Sequence, residues 1–289
     1  MMLNMTVATL LDEGVAHLRA ASALTTDSPA ASHLDAELLL AHALSVPRAR
    51  LRSHPEAAVE PHVARHYRKL LARRATGEPV AYLTGKKEFW ALPLAVTAAV
   101  LVPRPETELL VERALALGPR RHGRAADLGT GSGAIALAFA AERPDWQVLA
   151  TDVSEAALEI ARANAHALAL ERVEFRRGSW FAPLGAERFD LIVSNPPYVA
   201  ADDPALTGLQ HEPRLALTPG NDALGALREI IRGAPAHLLP RGWLLLEHGA
   251  TQGEAVRREL ALAGMRYIRS HPDLAGLERA TEGQLNDQI

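Results

Sequence analysis

The stretch that decides the fold is Asp127-Leu128-Gly129-Thr130-Gly131-Ser132-Gly133-Ala134. It follows a short apolar segment, Ala125 to Leu128, and precedes a helical pattern that contains Ile135 and Leu137. Glycines let the backbone turn tightly and approach a ligand without a Cβ in the way, and a helix N-terminus offers free N–H groups. The stretch therefore predicts a strand, a glycine turn and a helix, with a ligand at the turn.

Apolar segments and helical patterns alternate on both sides of this unit. The predicted strands are Ala125 to Leu128, Gln147 to Thr151, Val173 to Arg176, Phe189 to Ser194 and Trp243 to Leu246, with two more after Gly264. This alternation is typical of a parallel sheet with crossover helices. The part of the chain after Pro103 is therefore predicted to be an α/β domain.

Asp152 ends the next predicted strand, about twenty residues after the glycine turn. A carboxylate at this place can accept hydrogen bonds from both hydroxyls of an adenosine ribose. Gly129, Gly131 and Ala134 also fit the dinucleotide pattern. The turn and the acid thus predict a nucleoside-containing ligand and leave a nicotinamide-dependent oxidoreductase open. Ser154 competes with Asp152 to cap the helix that follows.

The first 75 or so residues have only helical patterns. Apolar positions recur through Val7, Leu10, Leu11, Val15 and Leu18, and again through Leu34, Leu38, Ala41 and Leu44. A third helix is predicted from about Glu60 to Arg74, and its basic residues are interpreted as a solvated face. From Val80 to Val102 the residue types favour short strands and turns, which we interpret as a linker with a β-hairpin.

Composition narrows the function classes. The 289 residues include 31 Lys and Arg against 34 Asp and Glu. This balance lacks the basic excess that drives non-specific nucleic-acid binding. The absence of cysteine excludes disulfides and thiolate chemistry. No apolar run approaches a membrane span and no signal peptide is recognisable, so we expect a cytoplasmic protein.

The most informative segment is Asn195-Pro196-Pro197-Tyr198, which directly follows the predicted strand Phe189 to Ser194. The two prolines stiffen the loop and contribute no N–H, so it presents two acceptors, the Asn195 side-chain oxygen and the Pro196 carbonyl. Two fixed acceptors can bind both hydrogens of a planar NH2 group while Tyr198 packs against its plane. The other interpretation is a Pro-Pro turn beside a buried tyrosine.

If the bound NH2 group accepts a methyl group, the site needs no titrating base at the start. An amide or exocyclic amine loses its proton only after it has gained the methyl group. Positioning does most of the catalysis. A methyl donor with a positive charge, such as S-adenosylmethionine, would lose that charge during transfer. A dry and weakly anionic site would therefore not oppose the reaction. A hydride-transfer enzyme has no evident use for the tetrad. The catalytic residues predicted from this reasoning are Asn195, Pro196, Pro197 and Tyr198.

No metal site is predicted, because the 12 histidines are scattered and neither His211 nor His248 has neighbours at metal-ligand spacing. Glu106 and Glu108 are interpreted either as groups near the cofactor's methionine end or as acids on an exposed helical turn. Arg104 could pair with either of them.

The sequence resembles the HemK/PrmC-type glutamine methyltransferases, which act on class I peptide chain release factors. The resemblance covers nearly the whole chain. It includes Ala36 to His42, Gly77 to Gly85, Val102 to Glu108, the glycine turn, Ser194 to Tyr198, His211 to Pro213 and Asp273 to Gly276. The tetrad itself is shared with adenine-N6 DNA methyltransferases and some ribosomal RNA methyltransferases, whereas the junction segments are more specific to this family.

The resemblance implies a helical substrate-docking domain over 1–76, a β-hairpin linker over 77–102 and a seven-stranded, Rossmann-like class I methyltransferase domain over 103–289. It implies S-adenosylmethionine as cofactor, S-adenosylhomocysteine as product, and the glutamine of a Gly-Gly-Gln loop as acceptor. The implied cofactor-binding residues are Gly129, Thr130, Gly131, Ser132, Gly133, Asp152, Trp180 and Asn195. Trp180 would lie against the adenine, although a core aromatic is the other interpretation. Ser179 departs from the family, which often has an aspartate there, and this puts cofactor affinity in doubt.

Three other functions stay open from the sequence. An exocyclic amine of DNA or RNA would suit the same tetrad, but the chain lacks the basic face and recognition domain that such enzymes use. A nicotinamide oxidoreductase accounts for only the glycine turn and Asp152. A non-catalytic adaptor leaves the intact tetrad unexplained.

The expected partner is therefore a class I release factor, with no stable nucleic acid and no membrane. The oligomeric state is left open, with a monomer as the expectation.

Overall fold

The computed structural model describes residues 5–22, 29–117 and 122–286. The chain divides into two compact units, Met1–Gly85 and Lys86–Ile289. The described helices of the first unit are α1 (Val7–Ser22), α2 (Pro29–Leu44), α3 (Arg48–Ser53), α4 (Pro61–Ala75) and α5 (Val80–Thr84). The three helices predicted from apolar spacing correspond to α1, α2 and α4. Their apolar faces form one core, in which Leu10, Leu39 and Tyr67 are buried.

The prediction of strands and turns from Val80 onward was wrong for its first residues. Val80–Thr84 is the short helix α5, preceded by Pro79 and followed by Gly85 in a left-handed conformation with φ of 74°. Strands begin only at Lys86, where β1 (Lys86–Phe89) and β2 (Leu92–Ala95) form an antiparallel hairpin. The hairpin belongs to the second compact unit.

The second unit alternates strands with helices, as predicted. Its further strands are β3 (Arg124–Leu128), β4 (Gln147–Asp152), β5 (Glu174–Arg177), β6 (Phe189–Ser194), β7 (Leu238–Glu247), β8 (Met265–Pro272) and β9 (Glu278–Leu285). Its α-helices are α6 (Glu108–Leu117), α7 (Ala134–Glu142), α8 (Glu155–Ala167), α9 (Arg214–Leu217), α10 (Gly225–His237) and α11 (Gly253–Leu262). Short 3₁₀ turns cover Pro105–Thr107, Ala182–Leu184 and Pro204–Leu209.

The main sheet has seven strands in the order β5-β4-β3-β6-β7-β9-β8. Neighbouring strands are parallel from β5 to β7, whereas β9 runs antiparallel to both β7 and β8. The strand order reverses direction at β3, because β4 and β5 lie on one side of it and β6 and β7 on the other. In open α/β sheets ligands bind at such a reversal, outside the carboxyl ends of the strands.

Both faces of the sheet are covered by helices. Side chains of successive strand residues point to opposite faces, so Ala125 and Leu191 contribute to one core and Ala126 and Ile192 to the other. The first core packs against α7, and the second against α10 and α11. Among the described residues no helix is long and apolar enough to cross a membrane. The architecture is the predicted α/β fold, with the reversal of strand order marking the ligand edge.

Candidate active site

The carboxyl ends of four adjacent strands bring the predicted site residues together. Thr151, Leu128, Ser194 and Leu246 occupy one row across β4, β3, β6 and β7. The residues that follow this row are Asp152, Gly129, Asn195 and Glu247. Neighbouring strands lie about 4.8 Å apart. Asp152 and Asn195 are thus about two strand spacings apart, a span that suits the two ends of a nucleoside-bearing ligand.

The glycine turn connects β3 to α7 through backbone with positive φ. Gly129, Gly131 and Gly133 have φ of 76°, 57° and 84°, which residues with a side chain rarely adopt. Gly133 is also tightly packed, since a Cβ there would lie 2.9 Å from the Leu137 side chain. At Gly131 the corresponding space is open, with no described atom within 4 Å of an added Cβ. The turn therefore leaves the backbone at Gly131 accessible to a ligand.

Asp127, at the base of the turn, has an unused acceptor. The Thr130 hydroxyl donates to Asp127 Oδ2 at 2.6 Å, while Oδ1 is buried without a hydrogen-bond partner among the described residues. Burial raises the pKa of this carboxyl to about 7. Buried polar atoms are usually paired, so an unpaired one beside a glycine turn fits a site completed by a ligand or water.

Asp152 joins the turn to the next helix. Its Oδ2 accepts a hydrogen bond from Gly131 N at 2.9 Å, and its Oδ1 accepts one from Ser154 N at 2.9 Å. Each carboxylate oxygen has a second lone pair for a hydroxyl donor. Ser154 is the N-cap of α8 and accepts from Ala157 N. Asp152 is thus free of the capping role and its carboxylate fits a ribose diol.

Trp180 lies beside the same turn. Its ring is close enough that a Cβ on Gly129 would come within 3.2 Å of it. The backbone is strained at this residue, with φ of 43°, and its carbonyl accepts a hydrogen bond from the Thr151 hydroxyl. The half-buried ring and the exposed Ser179 therefore stand at the Asp152 end of the strand row.

The tetrad is held from several sides. Ser194 Oγ donates to the Leu128 carbonyl at 2.6 Å, which ties the end of β6 to the start of the glycine turn. Asn195 Nδ2 donates to Thr107 Oγ1 at 3.2 Å. The Tyr198 carbonyl accepts from Gln252 Nε2 at 3.0 Å. Among the residues that the structure describes, no group donates to Asn195 Oδ1 or to the Pro196 carbonyl. The loop thus leaves two acceptors, Asn195 Oδ1 and the Pro196 carbonyl, without a donor among the described residues.

Behind the tetrad lies a buried carboxyl, Glu247. The Tyr198 hydroxyl donates to Glu247 Oε1 at 3.1 Å, and the Thr107 hydroxyl lies close enough to lower the pKa of the carboxyl by hydrogen bonding. Burial has the larger, opposite effect and raises the pKa of Glu247 to about 7. Burial also raises the pKa of Tyr198 above its ordinary value. The tyrosine is therefore a neutral aromatic group and not a base.

The expected partner of Arg104 was wrong. Arg104 pairs with Glu212, a buried residue whose Oε2 also accepts from Val102 N at 3.0 Å. Glu108 Oε1 instead accepts from Trp90 N at 2.8 Å, and Glu106 is exposed. Glu212 thereby connects the matching segments around Val102 and His211, which are separated by about a hundred residues in sequence.

The histidines singled out from the sequence have structural partners. His248 is buried between the Gly249 carbonyl, 2.9 Å from Nδ1, and the Thr281 hydroxyl, 2.7 Å from Nε2. Burial lowers the pKa of His248, so its ring is neutral at physiological pH. Within residues 5–22, 29–117 and 122–286 no group of three or more His, Asp or Glu side chains could hold a metal ion.

Sequence reasoning did not find Thr107, Glu212, Glu247 or Gln252. Thr107 and Glu212 stand within the segments that carry the family resemblance, and this was the available signal. Glu247 and Gln252 follow the predicted strand Trp243 to Leu246 at the ligand edge. A polar residue at the carboxyl end of a central strand could have marked Glu247 as a candidate.

The doubly wound sheet, the glycine turn, the acid after β4 and the tetrad after β6 define a class I methyltransferase. Two family models match the chain, the "PrmC N-terminal domain" over residues 10–85 and the "Methyltransferase small domain" over residues 105–212. Curated relatives extend the match. Because several are 41–53% identical over 85% or more of its length, the chain belongs to the release factor glutamine methyltransferase family.

Three relatives with that name illustrate the extent of the match. The protein of Xylella fastidiosa (strain Temecula1) is 53% identical over 87% of this chain and 92% of its own length. The protein of Pseudomonas aeruginosa is 50% identical over 89% and 94% of the two chains. The Salmonella typhimurium protein is 44% identical over 95% and 97%. The match therefore includes both compact units.

Solved structures of lower identity share the fold. The hMettl16 catalytic domain, solved with an RNA hairpin, has a TM-score of 0.58 at 16% identity and covers 80% of this chain and 83% of its own. A methyltransferase from Pyrococcus furiosus has a TM-score of 0.51 at 18% identity over 74% and 97% of the two chains. At these identities the likeness supports the methyltransferase fold alone.

Proposed function

We propose that this chain transfers a methyl group from S-adenosylmethionine to the side-chain amide nitrogen of a glutamine in a class I peptide chain release factor. The acceptor would be the glutamine of the Gly-Gly-Gln motif. The observation that carries the proposal is the pair of unused acceptors, Asn195 Oδ1 and the Pro196 carbonyl, beside the glycine turn. Family membership supports the same substrate, because the relatives are named for it.

The cofactor would be held by residues of the strand row. The Asp152 carboxylate fits the ribose hydroxyls, the open backbone from Gly129 to Gly133 fits the methionine end, and Trp180 fits the adenine. When bound, S-adenosylmethionine supplies an electrophilic methyl group. The strand spacing sets the Asp152 end and the Asn195 end about 10 Å apart. This distance would place the acceptor nitrogen near the methyl group when the nucleoside binds at Asp152.

The tetrad would orient the acceptor amide. Asn195 Oδ1 and the Pro196 carbonyl accept its two N–H groups, which localises electron density on the nitrogen and directs its lone pair to the methyl group. Tyr198 packs on the amide plane. The nitrogen would gain a bond to the methyl carbon as the carbon–sulfur bond breaks, with the electron pair remaining on the sulfur of the product S-adenosylhomocysteine. The methylated nitrogen would then lose one proton, which leaves along the hydrogen bond to one of the two acceptors and passes to water. No charged base is required, since the leaving proton is acidic once the nitrogen is alkylated.

The helical unit would dock the release factor, as the sequence resemblance implied, over residues 1–76. The reaction would take place in the cytoplasm, where release factors work. The other acceptor considered from the sequence, an exocyclic amine of DNA or RNA, is not favoured by the relatives. It remains a distinct outcome of the experiment below.

The test is mass spectrometry of a release factor after incubation with the enzyme and S-adenosylmethionine. We expect one added methyl group on the Gly-Gly-Gln glutamine. With Asn195→Ala, turnover should fall at least 100-fold, because one of two positioning acceptors is lost, while cofactor affinity measured by calorimetry stays within about threefold. Asn221→Ala, at an exposed asparagine of the same unit, is the matched control and should behave like wild type.

Two results would contradict the proposal. An unmodified glutamine, in an enzyme that binds the cofactor, would direct the search to nucleic-acid amines or another protein. Normal turnover of Asn195→Ala would remove the tetrad from the mechanism.

A further inference from the structure

Asn195 and Tyr198 are linked behind the tetrad by two residues from distant parts of the chain. Asn195 Nδ2 donates to Thr107 Oγ1 at 3.2 Å, and Tyr198 donates to Glu247 Oε1 at 3.1 Å. The Thr107 hydroxyl is close enough to the same Glu247 carboxyl to lower its pKa by hydrogen bonding. Asn195, Thr107, Glu247 and Tyr198 therefore form one connected polar group, which we call the rear network.

The rear network is shielded from water. Thr107 is 4% exposed and Glu247 is 2% exposed. Glu247 Oε2 is buried and has no hydrogen-bond partner among the described residues. A buried carboxyl costs free energy unless neighbouring groups satisfy it, so a hydrophobic residue here would serve the core better. The position of Glu247 at the end of a central strand thus calls for another reason.

The direction of the hydrogen bonds gives that reason. A carboxylate only accepts, so in the contact that lowers the pKa of Glu247 the Thr107 hydroxyl can only be the donor. The Thr107 oxygen is then left as an acceptor. Only the NH2 group of the Asn195 amide can donate to this oxygen. The amide oxygen must then point the other way, toward the substrate amide. An ionised Glu247 therefore decides which face of Asn195 the substrate meets.

We propose that Thr107 and Glu247 are positioning residues that lock the Asn195 amide with Oδ1 toward the substrate and hold the Tyr198 ring in place. The inference rests on the proposed methyl transfer and adds to it the residues that orient the tetrad. In the opposite amide orientation, Asn195 would offer NH2 to the substrate NH2. Two donors facing each other cannot form the hydrogen bond on which positioning depends.

Ionisation of Glu247 should therefore affect turnover. A protonated carboxyl can donate to Thr107, which can then donate to Asn195 Oδ1 and reverse the amide. The charged groups that face Glu247 are Glu106, which raises its pKa, and Arg279, which lowers it. With the pKa raised by burial to about 7, turnover should decline as pH falls through this range.

The first test is Glu247→Gln, assayed by methyl transfer to a release factor. An amide can donate to Thr107, so the direction of the network is no longer fixed. We expect kcat to fall about 10- to 100-fold with cofactor affinity within threefold of wild type. The decline in kcat toward lower pH should also disappear.

Glu282→Gln is the control, since it makes the same change at a buried carboxyl of β9 that pairs with Arg113. It should keep the wild-type pH profile of kcat even if it is less stable.

The second test uses Thr107→Val and Thr107→Ser, so the proposal stays testable if Glu247→Gln fails to fold. Valine keeps the shape but removes the hydroxyl, and should lower kcat about tenfold or more. Serine restores the hydroxyl and should recover most of the loss. A merely structural role for Thr107 would not distinguish the two variants in kcat at equal folded fraction.

The outcomes separate this inference from the proposed function. If wild-type enzyme leaves release factor unmodified, the proposed function fails. If wild type methylates it and Glu247→Gln keeps both kcat and pH profile, the rear network has no positioning role. Equal kcat in Thr107→Val and Thr107→Ser would overturn it as well.

Discussion

Asp152 combines two tasks in one side chain. It accepts hydrogen bonds from Gly131 N and Ser154 N, which fixes the glycine turn against the start of α8. In the proposed function it also accepts the ribose hydroxyls. Burial raises the pKa of this carboxyl, and the backbone N–H groups that donate to it oppose that effect. A simple loss of cofactor affinity on mutation would not distinguish the two tasks.

Binding of cofactor analogues that lack one ribose hydroxyl distinguishes the structural task of Asp152 from ribose binding. We expect Asp152→Ala to lower affinity for S-adenosylhomocysteine about 100- to 10,000-fold, because two hydrogen bonds to a charged group contribute about 1.5–3 kcal/mol each. The 2′-deoxy and 3′-deoxy analogues should bind wild type less well than the parent compound. With Asp152→Ala, calorimetry should find parent and analogues almost equal. An undiminished preference for the parent would refute the ribose assignment.

Residues in local motifs could be predicted from the sequence, and those whose partners are distant could not. The glycine turn, Asp152 and the tetrad each lie at the end of a recognisable strand. Glu247 acquires its role only from Tyr198 and Thr107, which are far from it along the chain. The same holds for Arg104, whose partner Glu212 is 108 residues away whereas Glu106 and Glu108 are close in sequence.

At the scale of elements, Asn164 of α8 connects the hairpin to the glycine turn. The side chain is 2% exposed. Its Oδ1 accepts from Ala95 N at 2.7 Å, and its Nδ2 donates to the carbonyls of Ala95 and Ser132 at 3.0 and 2.9 Å. One buried amide thus satisfies backbone groups of β2 and of the turn, neither of which forms a sheet bond there.

Asn164→Leu should be strongly destabilising. Leucine has a similar size but leaves the buried Ser132 carbonyl and two part-buried backbone groups of Ala95 without their partner, which costs about 2–5 kcal/mol. Denaturant unfolding would measure the loss, and hydrogen exchange should become faster around Ala95. Arg162→Ala, which removes only an exposed ion pair with Glu155 on the same helix, should change stability by less than about 0.5 kcal/mol. Equal effects of the two substitutions would contradict the bridging role.

The helix α5 shows where element prediction failed. Five residues make little more than one turn, too short for apolar spacing to distinguish a helix from a strand. Val80 and Tyr82 are of types that favour strands, and this guided the prediction. The better signal lay outside the segment, because a proline before and a glycine after a short run are typical of helix ends.

At the scale of the whole molecule, the two compact units have separate cores, and the first contains a buried carboxylate whose ionisation stabilises it. Glu37 is a 2% exposed residue of α2 that pairs with Arg52 and Arg48. Hydrogen bonds from these guanidinium groups lower the pKa of Glu37 to about 2. Its ionised form is favoured in the folded state. The resulting stability is complete above the ordinary pKa of about 4.5 and is lost as pH falls toward 2.

Glu37→Gln should therefore destabilise the helical unit at neutral pH. We expect a loss of about 1–2 kcal/mol once screening at the exposed guanidinium groups is allowed for, and a flatter dependence between pH 4.5 and 2. The chain's 4 tryptophans, Trp90, Trp146, Trp180 and Trp243, all belong to the second unit. Circular dichroism should detect a shifted helical transition while tryptophan fluorescence does not change. An equal shift in both signals would mean that the units unfold together.

The general architecture could be predicted because alternating patterns specify an α/β fold. Five strands of the sheet were predicted with bounds from their apolar residues, and two more were predicted, without bounds, after Gly264. The order of the last two strands was not predictable from local residue types. No local feature of Glu278–Leu285 indicates that it inserts between β7 and β8, because that choice depends on pairing with Trp243–Glu247 across the molecule.

This strand order has a consequence for synthesis on the ribosome. The chain emerges from its N-terminus, so β7 is made well before β9, its neighbour in the sheet. Until residues 278–285 follow, β7 has a row of unpaired backbone groups along a largely buried, leucine-rich strand. Open edges of this kind recruit other chains. Nascent protein paused after β8 should therefore be more prone to aggregation, and more dependent on chaperones, than protein that already includes β9.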